Sequence, residues 1–193
     1  MADALTARTA LGSEGAALRT HGDPVVVALR ELPASAMIDL RVDPAAAAAL
    51  DFVQSALGLA LPLTPGKSST GGERTALWFG PDQWLIVAPS TAAAPLVQAL
   101  QHAAVSAVDV SDLRAEFELC GSLAADVLRK GCAIDLHPRV FRPGDCVLTM
   151  LARVRVALRQ TDERPGYRIF VERSVAPYLW SWLIDAMMEF GGG

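Results

Sequence analysis

The order of strand and helix patterns along the chain constrains its fold more than any other feature of the sequence. Segments in which apolar and polar residues alternate, as half-buried strands do, precede segments with helical spacing of apolar residues. The order strand–strand–helix occurs four times, at intervals of roughly 40–50 residues and without obvious sequence identity. Shifted by one strand, this order gives two βαββαβ-type halves, the ferredoxin-like arrangement. We therefore predict an α+β fold with two ferredoxin-like halves, whose antiparallel-rich sheets carry helices on one face and water on the other.

The clearest strand pattern lies near the middle of the chain, where charged residues separate four apolar positions: Leu113, Ala115, Phe117 and Leu119. Similar alternation predicts one strand over residues 36–42 and one over residues 150–158. Side chains that suit helix ends predict the helix boundaries. These residues are Asp43 with Pro44, Ser122 and Ser174 at helix starts, and Gly58 at a helix end.

The chain divides into an arm and two halves. Residues 1–22 lack clear periodicity and are predicted to be flexible or ordered by a partner. Residues 23–108 form the first predicted ferredoxin-like half, and residues 109–193 form the second, which ends in a helix. A stretch rich in Gly, Pro and Ser, residues 61–75, is predicted to be a long loop.

Composition excludes several classes of protein. Of the 193 residues, 52% are hydrophobic and 20% are charged, which is typical of a folded domain. The net charge of −4 argues against a surface that tracks nucleic-acid phosphates. No apolar run of about 18 residues without charge is present, and the N-terminus lacks a secretion signal. We therefore expect a cytoplasmic protein with no nucleic-acid partner and no membrane partner.

No group of residues in the sequence has the spacing of a catalytic, cofactor-binding or metal-binding motif. The segment from Pro65 to Ser69 resembles a phosphate-binding loop, but Leu61 stands where that motif needs glycine. Ser111 and Asp112 could form a triad with His102 or His137, yet no nucleophile elbow surrounds the serine. Three cysteines and His137 have spacings of 12, 5 and 9, unlike those of zinc chelates. Catalytic, cofactor and metal residues are accordingly expected to be none.

Three arginines, Arg153, Arg155 and Arg159, share one face of the strand predicted over residues 150–158. Guanidinium groups bind carboxylates in a bidentate way, so these side chains could form an anion site. A solvated strand face, or the rim of a protein interface, is the interpretation that the sequence favours.

The last helix is apolar on almost every side. Its predicted core face contains Val175, Tyr178, Leu179, Trp182, Leu183, Ala186, Met187 and Phe190. A second apolar stripe, formed by Trp180, Ile184 and Met188, lies on nearly the opposite side. Covering each of these three side chains is worth about 1.5–3 kcal/mol. We predict that Trp180, Ile184 and Met188 form a partner interface, although the N-terminal arm could also cover the stripe.

Several segments resemble the gamma subunit of bacterial heterotetrameric sarcosine oxidase. They are GPDQWLIVAP, VDVSDLRAEFELCG, LRKGCAIDLHPRVFRPGDC, TMLARVRVALRQ and VERSVAPYLWSWLIDAMMEFG, and the resemblance spans about residues 25–190. More distantly, Asp109, Ser111, Gly121 and Leu128 are arranged as in the aminomethyltransferase fold of the glycine-cleavage T-protein. That fold agrees with the predicted ferredoxin-like halves.

The resemblance implies a role in an assembly. Such a complex oxidises sarcosine to glycine with O2 and tetrahydrofolate, and it yields hydrogen peroxide and methylenetetrahydrofolate. The resemblance places FAD and FMN in the beta subunit and its interface with alpha, NAD and folate in alpha, and zinc in delta. The gamma subunit is then a non-catalytic partner of the alpha, beta and delta subunits, with no cofactor of its own.

A second hypothesis is a free-standing T-protein-like domain that binds a folate or another pterin. Such a domain needs a deep cleft with a carboxylate that holds the pterin ring. Asp109 and Asp135 are candidates for that carboxylate, and no further motif supports either of them.

Overall fold

A computed structural model describes residues 9–11, 18–161 and 166–190. Much of the predicted arm, residues 1–8 and 12–17, therefore lies outside the described residues. The strands are β1 (Thr20–Asp23), β2 (Val27–Glu31), β3 (Ser35–Val42), β4 (Ser68–Gly71), β5 (Arg74–Gly80), β6 (Gln83–Pro89), β7 (Val105–Asp109), β8 (Arg114–Cys120), β9 (Cys146–Leu151), β10 (Val154–Thr161) and β11 (Gly166–Glu172). The helices are α1 (Ala47–Leu57), α2 (Ala93–Ala99), α3 (Ala124–Arg129) and α4 (Ala176–Met187).

Two antiparallel sheets organise these elements. The five-stranded sheet has the order β4-β5-β6-β3-β7. Strands β3, β5, β6 and β7, with α1 and α2 between them, form a complete ferredoxin-like unit, and β4 extends it as a hairpin partner of β5. The six-stranded sheet has the order β1-β2-β8-β11-β10-β9. The prediction of an α+β fold with two ferredoxin-like halves is confirmed.

The second unit takes its last strand from the beginning of the chain. Strands β8, β10 and β11, with α3 and α4, supply three strands of the ferredoxin-like order, and no strand follows α4 in the described residues. The open edge of β8 instead pairs with β2, with Leu29 opposite Leu119. The sheets therefore do not divide at residues 108 and 109 as predicted, because the apolar side chains of β2 fill the place that a strand after α4 would take.

Three apolar clusters show that the sheets are stacked. One cluster joins the six-stranded sheet to α3 and α4, and a second joins the five-stranded sheet to α1 and α2. The third lies between the sheets and contains Met37, Leu77, Leu85, Cys146, Ala157 and Phe170. The layer order is thus helices, sheet, sheet, helices. The predicted solvated sheet faces are wrong at these positions, since each sheet covers part of the other.

Helix boundaries follow backbone geometry more than the predicted capping side chains. Gly58 ends α1 in the left-handed conformation, with φ of 62°, as predicted. Asp43 accepts a hydrogen bond from Ala45 N at 2.9 Å, in a turn that precedes the helix. Neither Ser122 nor Ser174 caps a helix: α3 and α4 start at Ala124 and Ala176 without a side-chain cap. In both cases a short turn separates the serine from the helix.

Four strands differ from the sequence prediction. The strand predicted over residues 150–158 is a hairpin, in which Leu151 of β9 pairs with Val154 of β10. Its two turn residues, Ala152 and Arg153, have φ of 49° and 71°, backbone angles that residues other than glycine rarely adopt. The loop predicted over residues 61–75 contains β4 and the start of β5, and β1 begins within the predicted arm.

Candidate functional site

Helix α4 places Trp180 in the core of its own chain. Its side chain is only 5% exposed, and its ring meets Phe117 of β8 edge to face, with 5.4 Å between the ring centroids. The prediction that Trp180 contacts a partner is therefore wrong. The helix buries a face centred on Leu179, Trp180 and Leu183, so the core face is turned toward Trp180 relative to the predicted one.

The other two residues of the predicted interface lie nearer to the surface. Ile184 is partly buried and packs against the core of the six-stranded sheet. Met188 follows α4 in a short 3-10 turn and is 66% exposed. The interface prediction for Met188 remains a prediction, and the structure leaves its side chain accessible.

Two residues predicted for the core face of α4, Tyr178 and Trp182, contact the β9–β10 hairpin and the end of α3 instead. Tyr178 is 49% exposed, and its hydroxyl donates to Ala152 O at 2.9 Å. The ring of Trp182 lies over Gly131, where an added Cβ would stand 2.6 Å from that ring. This close approach requires glycine at the end of α3.

A cavity of about 520 Å³ lies where β2 ends and the chain crosses to β3. The start of β8 and the segment after β11 also border it, so both sheets contribute to its wall. The charged residues of the wall are Glu31, Asp109, Asp112, Arg114, Glu116 and Arg173. The cavity volume falls in the range of pockets that bind small molecules.

One oxygen of the Asp109 carboxylate is engaged by its own turn. Asp109 Oδ1 accepts from Ser111 N at 3.0 Å and from Ser111 Oγ at 2.5 Å. Ser111 Oγ in turn accepts from Met37 N at 2.9 Å, which fixes the turn after β7 against β3. Asp135, the other candidate for holding a pterin, is exposed, accepts from His137 N and is not part of the cavity wall.

A charged network lines the face of the six-stranded sheet that looks toward the other sheet. Arg168 Nη1 lies 3.2 Å from Glu116 Oε1, and Arg168 Nη2 lies 3.3 Å from Glu118 Oε1. Arg30 Nη1 lies 3.3 Å from Glu118 Oε2. Ser35 Oγ donates to Glu116 at 3.2 Å. Burial raises the pKa of the Glu116 carboxyl, and the nearby Arg168 guanidinium opposes that shift. The network therefore pairs these charged side chains with one another on a sheet face that stacking partly removes from water.

The three arginines of the predicted anion site are not on one strand face. Arg153 lies in the turn between β9 and β10. The Arg159 guanidinium donates to Ser68 Oγ and Thr70 Oγ1 of β4, both at 3.0 Å, and so links the two sheets. Arg155 borders a second cavity of about 220 Å³, together with Arg114 and Glu172. Arg159 thus has a structural role that the strand pattern did not reveal.

The structure assembles neither the hypothetical triad nor the zinc group. Ser111 hydrogen-bonds to Asp109, while His102 and His137 each accept a backbone N–H within an exposed turn. Within residues 9–11, 18–161 and 166–190, no group of three or more His, Cys, Asp or Glu side chains could hold a metal ion. No helix in the same ranges is long and apolar enough to cross a membrane.

The fold class is that of two ferredoxin-like units, and solved structures share it. Aminomethyltransferase T of the glycine cleavage system from Bartonella henselae superimposes with a TM-score of 0.62 at 17% identity, over 83% of this chain and 46% of that chain. At this identity the likeness shows the fold alone.

Sequence comparisons define the family. The model of the sarcosine oxidase gamma subunit family matches residues 39–189. The sarcosine oxidase subunit gamma of an Arthrobacter species is 40% identical over 171 residues, which cover 85% of this chain and 81% of the relative. That of Corynebacterium sp. strain P-1 is 39% identical over 167 residues, with the same coverage. A chain of the heterotetrameric sarcosine oxidase from Corynebacterium sp. U-96 has a TM-score of 0.80 at 33% identity, over 90% of this chain and 89% of that chain. This chain belongs to the sarcosine oxidase gamma subunit family.

Proposed function

We propose that this chain is the non-catalytic gamma subunit of a heterotetrameric sarcosine oxidase in the cytoplasm. The observation that carries the proposal is the match, over 90% of this chain, to a chain from a solved heterotetrameric sarcosine oxidase. The assembled enzyme would oxidise sarcosine to glycine with O2 and tetrahydrofolate, giving hydrogen peroxide and methylenetetrahydrofolate. The chain would support the assembly that performs this chemistry.

The partners in this proposal are the alpha, beta and delta subunits. They would hold FAD, FMN, NAD, tetrahydrofolate and zinc, while this chain holds none of them. The buried Cys146 thiol is compatible with that division, because burial raises its pKa to about 11 and keeps it protonated and unreactive at neutral pH.

Met188 is the surface residue that we propose for contact with another subunit. It is 66% exposed and follows directly after α4, so a charge at this position does not enter the core of the chain. Apolar side chains such as methionine are enriched at the centres of protein interfaces.

Co-purification tests both parts of the proposal. This chain, carrying an affinity tag, is co-expressed with the three other subunits, and the recovered complex is assayed for hydrogen peroxide formed from sarcosine. We expect Met188→Asp to reduce recovery of the partners by about tenfold or more, because it places a charge in an apolar contact. Its thermal unfolding, followed by circular dichroism on the isolated chain, should match that of the wild type.

The matched control is Val140→Asp, at an apolar residue that is 60% exposed and lies away from α4 in the sequence. This variant should recover the complex as the wild type does. Equal recovery with Met188→Asp would reject the contact at Met188. An enzyme of unchanged stability and activity without this chain would reject the subunit role itself.

The alternative of a free-standing folate or pterin site has weaker support. Asp109 borders the 520 Å³ cavity, but one of its carboxylate oxygens is already engaged by Ser111. Calorimetric titration of the isolated full-length chain with tetrahydrofolate separates the two functions. The subunit role predicts no heat of binding, and the pterin role predicts heat that is lost in Asp109→Asn.

A further inference from the structure

The second cavity, of about 220 Å³, lies between the two sheets at the ends of their strands. Phe79 of β5 and Gln83 of β6 border it from the five-stranded sheet. Arg114 of β8, Arg155 of β10 and Glu172 of β11 border it from the six-stranded sheet. Arg155 and Glu172 are exposed and Arg114 is half-buried, so a molecule from solution can reach these charged groups.

The charged residues of this cavity form a row across three strands. Arg114 stands opposite Glu172 in the pairing of β8 with β11. On the other side of β11, Val156 stands opposite Val171, so the preceding Arg155 lies beside Glu172. The row therefore places one carboxylate between two guanidinium groups and carries one net positive charge.

Within the described residues, neither guanidinium group has an oxygen partner. The Arg114 guanidinium lies over the Phe79 ring, 5.5 Å from the ring centroid. That ring attracts the charge but supplies no acceptor oxygen. The side chains of Arg114 and Arg155 make no hydrogen bond and no ion pair in the described ranges, with Glu172 or with any other residue. Their N–H donors are therefore available to a ligand.

Partial burial distinguishes Arg114 from an ordinary surface arginine. Burial lowers the pKa of its guanidinium, an effect that the carboxylates of Glu172 and Asp39 oppose. Asp39 is not among the described residues that border the cavity, and both of its oxygens accept from Gln83 Nε2, at 3.1 and 2.8 Å. A half-buried cation without an oxygen acceptor is costly, so the site favours a molecule that supplies one.

We propose that this cavity binds a small carboxylate monoanion between Arg114 and Arg155. Guanidinium groups bind carboxylates through paired N–H donors. One net positive charge suits a monoanion, since Glu172 repels a dianion such as sulfate more strongly. The cavity is smaller than those that bind drug-sized molecules, so its ligand has only a few heavy atoms. This inference does not depend on the role of the chain in an oxidase.

The proposal is tested with sodium acetate as the probe. The full-length chain, labelled with ¹⁵N, is titrated while sodium chloride holds the ionic strength constant at a low value. The side-chain Nε–H and backbone amide signals of Arg114 and Arg155 are followed by NMR. For a ligand of four heavy atoms at a site open to water we expect a Kd of about 1–10 mM. Sodium sulfate should bind more weakly than acetate.

Removing one guanidinium group should weaken binding. Arg155→Gln, at an exposed residue, should raise the Kd for acetate by about fivefold or more. The matched control is Arg129→Gln, which makes the same change at an exposed residue of α3, on the opposite face of the same sheet. This control should bind acetate like the wild type.

Removing the central carboxylate should strengthen binding. Glu172→Gln eliminates a negative charge that repels the ligand, so the Kd for acetate should fall by about threefold or more. Glu73→Gln is its control, at an exposed residue of the turn between β4 and β5, and should leave the Kd unchanged. A purely structural role of the row would not produce this gain. Thermal unfolding verifies that each variant is folded.

The outcomes are distinct. Saturable binding of acetate that Arg155→Gln weakens and Glu172→Gln strengthens, with both controls like the wild type, would support the proposal. Equal affinities of folded Arg155→Gln and wild type would overturn it. Tighter binding of sulfate than of acetate, or no saturable shift up to about 100 mM acetate, would overturn it as well.

Discussion

The two ferredoxin-like units reach the same strand order by different routes. In the five-stranded sheet, β7 follows α2 in the sequence and takes its place beside β3. In the six-stranded sheet, the corresponding place beside β8 is taken by β2, which comes from the beginning of the chain. The comparison teaches that a repeated fold does not require a repeated chain order, provided that each sheet edge finds an apolar strand.

Removing β1 and β2 tests this difference with the largest expected effect. Val27 and Leu29 are 1% and 0% exposed. Losing the burial of two such side chains costs roughly 3–6 kcal/mol, a large part of the 5–15 kcal/mol that stabilises a typical domain. A chain that lacks residues 1–32 should lose cooperative thermal unfolding in calorimetry.

A permuted chain is the control for that deletion. Residues 18–32 are joined after Phe190 through a glycine–serine linker, which places the strands after α4 as β7 stands after α2. This chain should regain cooperative unfolding. If the deletion variant unfolds at the wild-type temperature, then β2 does not complete the second unit.

The buried Cys146 thiol at the contact between the two units should make the stability of the chain depend on pH, with an effect smaller than that of the deletion. Cys146 of β9 donates its thiol to Lys67 O at 3.1 Å, and burial raises the pKa of that thiol from 9.0 to about 11. Between these values the folded chain holds a proton that the unfolded chain loses, so stability falls as pH rises. The expected loss is roughly 2 kcal/mol between pH 9 and pH 11.

Chemical denaturation at a series of pH values measures this contribution. Cys146→Ser, which keeps a hydroxyl donor, should lack it, whereas Cys120→Ser should retain it. Burial also raises the pKa of Tyr167, which adds the same decline to every variant. An identical pH profile for Cys146→Ser and wild type would show that this thiol does not couple the units to pH.

Substitutions in the corresponding hairpin turns of the two units should change the stability of the chain least. The turn between β4 and β5 begins with Gly72 at φ of 58°, whereas both residues of the turn between β9 and β10, Ala152 and Arg153, have positive φ, 49° and 71°, without being glycine. Arg153→Gly relieves a left-handed conformation at an exposed residue and should stabilise the chain by about 0.5–1 kcal/mol. Gly72→Ala should destabilise the chain by a similar amount. The cost comes from the positive φ alone, because nothing lies within 4 Å of the added Cβ. Thermal unfolding measures both, and equal signs for the two variants would contradict the comparison.

The sequence predicts the elements whose side chains alternate strongly and misses those set by the backbone. Alternation predicts β3 and β8, and Gly58 predicts the end of α1. The hairpin at Ala152 and Arg153 carries neither glycine nor asparagine, so no turn residue marks it. β4 escapes prediction because its side chains are polar or absent.

The candidate sites show the same limit. The stripe of Trp180, Ile184 and Met188 has helical spacing, but spacing alone does not fix how the helix is rotated on its sheet. The ring of Trp180 packs against that of Phe117, a residue 63 positions earlier in the sequence. The sequence shows Glu31 only as a polar residue at the end of a strand. The structure is needed to place it in the wall of a cavity.

The strand exchange also sets an order of events during biosynthesis. β2 leaves the ribosome early, yet its neighbour β8 ends at Cys120, so roughly 90 further residues must be synthesised first. At typical elongation rates this takes about 5–20 s, during which Val27 and Leu29 have no sheet to join. β2 is thus a segment that nascent-chain chaperones would have to shield until β8 and the rest of the second unit emerge.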